Sequence, residues 1–389
     1  MVAEVDHSCV LHKVAVATAS LLAGAGLVTA PAAAHVLAQG GTAPAPSPVV
    51  STADPTCGRE PTTGSAWERL FDGLRDGWSG GDGAASVRLP DGRLLWLFGD
   101  TFTGSVAPDG RRGTDARIVR NSIVVTDGSC ASVATPGTEA LVSGPDGSWL
   151  WPTAGVVSSV GEPGAPSTVT VFAQRLVRDG HDAFGFRRGG AAVVQVTVPW
   201  RGVPVVGTPV DLPAGDVLWG AALVRDGATT WVYGTRAVDE PLVFGRDLLL
   251  ARAPTATVDD PSTWTYRTSS GWSARAADAA VVRPARAGVS TVPSAAQVGG
   301  AYVVVTKAQE FLDPQVVELR SPHPWGPWTT TRLLTSATSG SVLRYSPAIV
   351  AGATDQHAVV VVSRTSTSSE QLMADVELAR PTFADVRLG

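Results

Sequence analysis

Gly81-Asp82-Gly83-Ala84-Ala85-Ser86-Val87-Arg88-Leu89-Pro90-Asp91-Gly92-Arg93-Leu94-Leu95-Trp96-Leu97-Phe98-Gly99-Asp100-Thr101-Phe102 is the stretch that decides how this chain folds. Two strand-like runs flank an Asp-Gly turn at Asp91-Gly92. Pairing two strands across such a turn sets the start of the first beside the end of the second. Asp82 and Asp100 are therefore expected at the same end of one hairpin. Two carboxylates held close together on a rigid sheet point to acid/base chemistry.

The same signature recurs four more times. Second strands align as Trp96–Thr101, Thr170–Arg175, Trp231–Arg236, Val303–Lys307 and Val360–Arg364, each an apolar run ending in a polar residue. First strands precede them at Asp82, Pro152, Trp219, Pro293 and Ser346, spaced 70, 67, 74 and 53 residues apart. Third strands are expected over 121–126, 192–198, 248–251, 316–319 and 375–378. This pattern predicts an all-β fold, a five-bladed β-propeller with four-stranded blades. The period exceeds the roughly 40–50 residues usual for such repeats, so the connecting loops are long, and long loops on a rigid scaffold tend to carry function. A two-domain array of β-sandwiches, the alternative, does not account for a signature shared five times. Ring closure is expected to pair the segment Ala66–Leu70 with Phe383–Leu388, removing a free sheet edge.

Composition fits this reading. The chain of 389 residues has 42 Gly and 28 Pro, and Lys13 and Lys307 are its only lysines. Short runs of Val, Leu, Thr and aromatics between Gly, Pro and Asp turns outnumber stretches with a 3.6-residue apolar period. The formal charge is −5, and no Lys/Arg run stands out. That balance disfavours a nucleic-acid partner and suits a neutral polysaccharide or oligosaccharide. The chain is expected to act as a monomer.

Val14 to Ala30 is an uninterrupted run of apolar and small residues, followed by Pro31-Ala32-Ala33-Ala34 and, a little later, Val36-Leu37-Ala38. This predicts a signal peptide over 1–34, cleaved near Ala34 or Ala38, and hence a secreted or envelope-associated protein with no stable membrane span after processing. An uncleaved membrane anchor is the rival reading; the run is short and rich in Ala and Gly for that. Residues 35–64 read as a Pro/Ala/Ser-rich linker, and 65–389 as the propeller. With Cys9 in the signal region, Cys57 and Cys130 are expected to form a disulfide.

In a propeller, the loops entering each first strand and leaving each second strand share one face. That face would collect Asp82, Asp100, Gln174, Arg175, Arg236, Lys307 and Arg364, with Arg120-Asn121 and Glu310 close by. Trp151, Trp219 and Tyr345 lie at first strands, where ring faces can stack on sugar C–H surfaces. Glycoside hydrolysis normally uses two carboxyl groups, one protonated and one ionised. Asp82 is read as base or nucleophile, and Glu310 or Asp100 as the acid. Arg120, Asn121, Trp151, Gln174, Arg175, Trp219, Arg236, Lys307, Tyr345 and Arg364 are read as substrate-binding. The bland alternative is that Asp82 and Asp100 only cap Gly-rich turns. His181, His323 and His357 have no ligand spacing, so no transition metal or cofactor is expected; the channel leaves room for a structural calcium or sodium ion.

At Gly81-Asp82-Gly83, Leu95–Phe102 and Arg120-Asn121-Ser122 the chain resembles a secreted actinobacterial propeller family, long labelled a domain of unknown function, that includes endo-D-arabinanases of the mycobacterial cell envelope. The resemblance covers about residues 65–388. It implies a five-bladed propeller and cleavage of D-arabinofuranosyl linkages, with Asp82 and Asp100 as the residues carried over. A non-catalytic glycan-binding propeller and an envelope protein-interaction propeller are the rival functional readings.

Overall fold

The computed structural model describes residues 57–75, 77–144, 146–179 and 186–389. The expected signal peptide and most of the expected linker lie outside the described residues.

Among the described residues five antiparallel sheets follow one another along the chain, and a sixth, small one pairs Gly80–Gly81 and Arg117–Val119 with Thr101–Thr103 beside the first. The first holds Ala85–Arg88, Leu94–Phe98, Ser122–Asp127 and Cys130–Val133. The second holds Trp149–Ser159, Ser167–Arg178 and Phe186–Val198, with Val205–Val206 and Val210–Asp211 both pairing on the last. The third runs through Val217–Asp226, Thr229–Arg236, Asp247–Pro254, Thr265–Arg267 and Trp272–Ser273, with Val281–Arg283 added at Asp247–Pro254. The fourth holds Ser294–Val298, Ala301–Thr306, Gln315–Ser321 and Thr329–Thr335, and the fifth Val342–Ile349, Ala358–Ser366 and Thr382–Val386. The sheets thus carry three to six strands, and only the first and fourth have the four expected of every blade.

The inner strand of each sheet touches the inner strand of the next, and that of the fifth touches that of the first. All five inner segments line a central cavity of about 230 Å³. Strand periodicity explains the packing between sheets. Leu95 and Leu97 point into the core shared with the second sheet, while Leu94, Trp96 and Phe98 point into the core shared with the fifth. Val303 and Val305 face the fifth sheet, whereas Tyr302 and Val304 face the third. Both faces of these strands are buried, so they read in sequence as continuous apolar runs.

Two expectations about the chain ends are corrected. Ala66–Leu70 lies in a helix, Gly64–Asp72, not in a strand. Thr63 caps it by accepting from the Ala66 N–H, and Trp67 and Phe71, one turn apart, are buried against Phe383. The C-terminal strand Thr382–Val386 pairs only within the fifth sheet, so the fifth sheet meets the first by packing across a seam, not by strand pairing. The run expected as a strand over 375–378 instead starts a 3-10 turn, Val376–Ala379, because the Asp375 carboxylate accepts from the Glu377 N–H.

Cys57 and Cys130 form a disulfide (S–S 2.06 Å), tying the first described residue to the outer strand of the first sheet. Among the described residues no helix is long and apolar enough to cross a membrane.

Candidate functional site

Asp82 sits between the short strand Gly80–Gly81 and the inner strand Ala85–Arg88, and Asp100 between Leu94–Phe98 and Thr101–Thr103. The Gly99 N–H donates to the Asp82 carbonyl (2.7 Å), and the Asp82 N–H donates to the Asp100 carbonyl (3.3 Å). A Cβ at Gly99 would stand 2.5 Å from Asp82 Oδ1, so a larger residue there would displace that carboxyl. Gly83 has φ +65° and donates its N–H to Ser363 Oγ (2.8 Å), which stitches the first sheet to the fifth. Thr101 Oγ1 donates to the Gly99 carbonyl and shares a hydrogen bond with Ser122 Oγ (both 2.8 Å). The Gly-Asp-Thr segment is thus a tight bend locked from both sides.

Each carboxylate has its own partners. Tyr345 Oη donates to Asp82 Oδ2 (2.6 Å). Trp151 Nε1 donates to Asp100 Oδ1 (2.9 Å), and Arg120 Nη1 stands 3.5 Å from Asp100 Oδ2. Arg120 also lies 4.8 Å over the ring of Trp149. Asp100 is 3% exposed, and Asp82 is partly buried. Burial, reinforced by the charge of Asp100, pushes the Asp82 carboxyl up to about 7, against the pull of the Tyr345 hydroxyl. Burial likewise raises Asp100, to about 6, with Arg120 and Trp151 opposing and Glu139 adding to the rise. The Tyr345 hydroxyl is itself held protonated, first by burial and then by Asp82. The pair therefore keeps a proton close to neutrality.

Of the other sequence-predicted residues, Trp151 and Gln174 stand on the second sheet and Glu310 follows the fourth-sheet strand Ala301–Thr306. Trp151 is the Asp100 partner, with Gln174 beside it in register on the next strand. Glu310 opens a short turn after the second strand of the fourth sheet, at φ +54°. Its carboxylate accepts from the Thr291 N–H (2.7 Å), Thr291 Oγ1 (2.5 Å) and Arg246 Nε (3.2 Å). Glu310 makes no hydrogen bond to Asp82 or Asp100, but its neighbour Phe311 packs against Tyr345.

Two of the remaining assignments change. Asn121 is wholly buried, and its amide is used by the backbone of Leu141 and Leu150, so it is a structural strut with no substrate access. Lys307 is also wholly buried, donating to the carbonyls of Ser336 (2.7 Å) and Arg344 (2.8 Å), and burial lowers its pKa to about 8. Trp219 packs on Tyr266 and Trp264, with ring centroids 5.1 and 6.3 Å away. The guanidiniums of Arg175, Arg236 and Arg364 pair with Asp211 (2.7 Å), Asp247 (2.9 Å) and Glu377 (3.5 Å). None of them bonds to Asp82 or Asp100. Sequence reading missed Glu139, which accepts from the Arg120 N–H (3.4 Å) and Ser143 Oγ (2.5 Å) behind Asp100. Nothing local marks it, since it comes from the loop between the first two sheets. Among the described residues no group of three or more His, Cys, Asp or Glu side chains is placed to hold a metal ion.

The chain belongs to the family described as Domain of unknown function (DUF5005), whose model matches residues 65–386. No curated protein matches it in sequence. Among solved structures, it is similar to a Bacteroides ovatus ATCC 8483 protein provisionally named a hydrolase, with a TM-score of 0.63 and 18% identity, covering 83% of this chain and 89% of that one. A GH43_1 enzyme of Xanthomonas citri gives a TM-score of 0.44 at 11% identity, over 82% and 92% of the two chains. The catalytic domain of a GH62 alpha-L-arabinofuranosidase of Coprinopsis cinerea gives 0.42 at 10%, over 80% and 91%. At these identities the likeness concerns the fold alone.

Proposed function

We propose that this member of the family is an exported five-bladed β-propeller that hydrolyses glycosidic bonds of a cell-envelope or environmental polysaccharide. The resemblance of its Gly-Asp-Gly and Gly-Asp-Thr-Phe segments to those of arabinanases makes a D-arabinan the substrate of choice. The observation that carries the reading is the carboxyl pair: Asp82, partly buried and bonded to Tyr345 at 2.6 Å, is close enough to the sealed carboxylate of Asp100 for the two charges to repel.

In this reading Asp82 is the general acid. With a carboxyl raised to about 7, it is still protonated at mildly acidic pH and can give its proton to the leaving glycosidic oxygen. The electrostatics thus favour the reverse of the base or nucleophile role expected from sequence. Asp100, almost without solvent contact, is a positioning residue whose charge keeps the proton on Asp82. The opposing carboxylate is assigned to Glu310, two sheets away around the ring and oriented by Arg246 and Thr291. It would take the proton of the water that adds to the anomeric carbon as the glycosidic bond breaks, or attack that carbon itself. Arg120, Trp151 and Gln174 would contact the sugar.

The test is to incubate the purified protein with a panel of arabinans and galactans and read the released reducing ends. Release from a D-arabinan by the native chain, lost in Asp82→Asn with folding intact, is expected. Equal release by the variant, or none from any polymer, would contradict the assignment. A second reading, a glycan-binding propeller without turnover, draws on the burial of Asp100, which shuts one carboxyl of the pair off from solvent. It predicts retention on an arabinogalactan column with no new reducing ends.

A further inference from the structure

Ser346 breaks two local rules at once. Its φ is +43°, in the left-handed region that side chains with a Cβ avoid, and it precedes Pro347, which favours extended backbone. The residue lies in a bulge of the fifth inner strand, where the register slips between Tyr345 and Ala348. The third inner strand slips at the matching place, between Trp219 and Ala222, and there the residue after the aromatic is Gly220 at φ +79°. In the first sheet the corresponding bend carries Gly83 at φ +65°. Glycine is the expected occupant of such a bulge because it carries no Cβ. The fifth sheet has a serine instead.

That serine is well placed to be useful. It lines the central cavity together with Gly83, the residue after Asp82. The preceding residue, Tyr345, holds the Asp82 carboxyl. Among the described residues the Ser346 hydroxyl makes no hydrogen bond, although the hydroxyls of nearby Ser294 and Ser363 are both engaged by backbone N–H groups. A strained backbone that carries an unengaged hydroxyl one residue from the partner of a candidate acid is the kind of outlier that marks a functional position. We infer that Ser346 is a substrate-binding residue whose hydroxyl bonds a ring hydroxyl of the sugar seated against Asp82. The inference rests on the polysaccharide reading above and deepens it.

Two variants test it, with binding of D-arabinofuranosyl oligosaccharides read by calorimetry and folding read by the melting temperature. Ser346→Ala keeps the Cβ and removes the hydroxyl; Ser346→Gly removes both. Both are expected to raise the dissociation constant about 3- to 10-fold, the worth of one neutral hydrogen bond. Ser346→Gly is expected to melt no lower than Ser346→Ala, since relief of strain offsets the added freedom of its unfolded chain. Native-like binding by both variants would overturn the role of Ser346 while leaving the polysaccharide reading standing. A glycine variant that melts below the alanine variant would overturn the strain argument. A native chain that neither binds nor cleaves these oligosaccharides would remove the polysaccharide reading, and Ser346 with it.

Discussion

Asp82 and Asp100 hold protons more tightly in the folded chain than an ordinary aspartate does, to about 7 and about 6, mainly because both are buried. Their contribution to stability is therefore full below about pH 4 and is lost as pH rises through 6 and 7. Asp82→Asn removes one of the two charges that crowd the site above neutrality, while its amide oxygen can still accept from Tyr345. The variant is expected to melt above the native chain at pH 8 and level with it at pH 4; a lower melting point at pH 8 would contradict this. Activity should fall as pH rises through about 7, when Asp82 loses its proton. Because the Tyr345 hydroxyl favours the ionised form, Tyr345→Phe should move that fall to higher pH in a profile of kcat/KM. The pairing of Asp82 with Asp100 was legible because hairpin geometry alone brings the two ends together. Lys307 and Asn121 were not, since a polar residue at a strand end carries no local mark of whether it faces solvent or a neighbouring sheet. Glu139 arrives from a loop whose path only the assembled sheets define.

Strands were legible where their side chains alternate between two cores. Leu94–Phe98 and Ala301–Thr306 supply apolar residues to both neighbours, which is why their runs are unbroken. The end segments escaped the same reasoning because side-chain caps outweigh a short apolar run there. Thr63 starts the Gly64–Asp72 helix, and Asp375 starts the turn that replaces the expected strand. The helix matters because Phe71 packs on Trp78, Trp96, Phe98 and Phe383, with ring centroids 5.1–5.8 Å apart. Phe71→Ala should cost about 3–5 kcal/mol in urea unfolding. A loss under about 1 kcal/mol, the level usual for surface changes, would mean that this helix does not hold the seam.

At the scale of the molecule, the repeat foretold five sheets but not how the last meets the first. No strand is shared across that seam; Trp67, Phe71, Trp96, Val361 and Phe383 fill it, and the Gly83 N–H reaches across to Ser363. Unequal loops and extra outer strands depart from the even four-stranded plan, yet the inner strands keep their cyclic order around the cavity. That order sets Tyr345 of the fifth sheet and Trp151 of the second on either side of the first-sheet pair. The most direct test of the account is a carbon-13 NMR titration of the aspartate carboxyls in the native chain and in Asp82→Asn. A carboxyl titrating near pH 7 in the native chain and missing from the variant is predicted; native carboxyls that all titrate below about pH 5, the ordinary aspartate range, would contradict it.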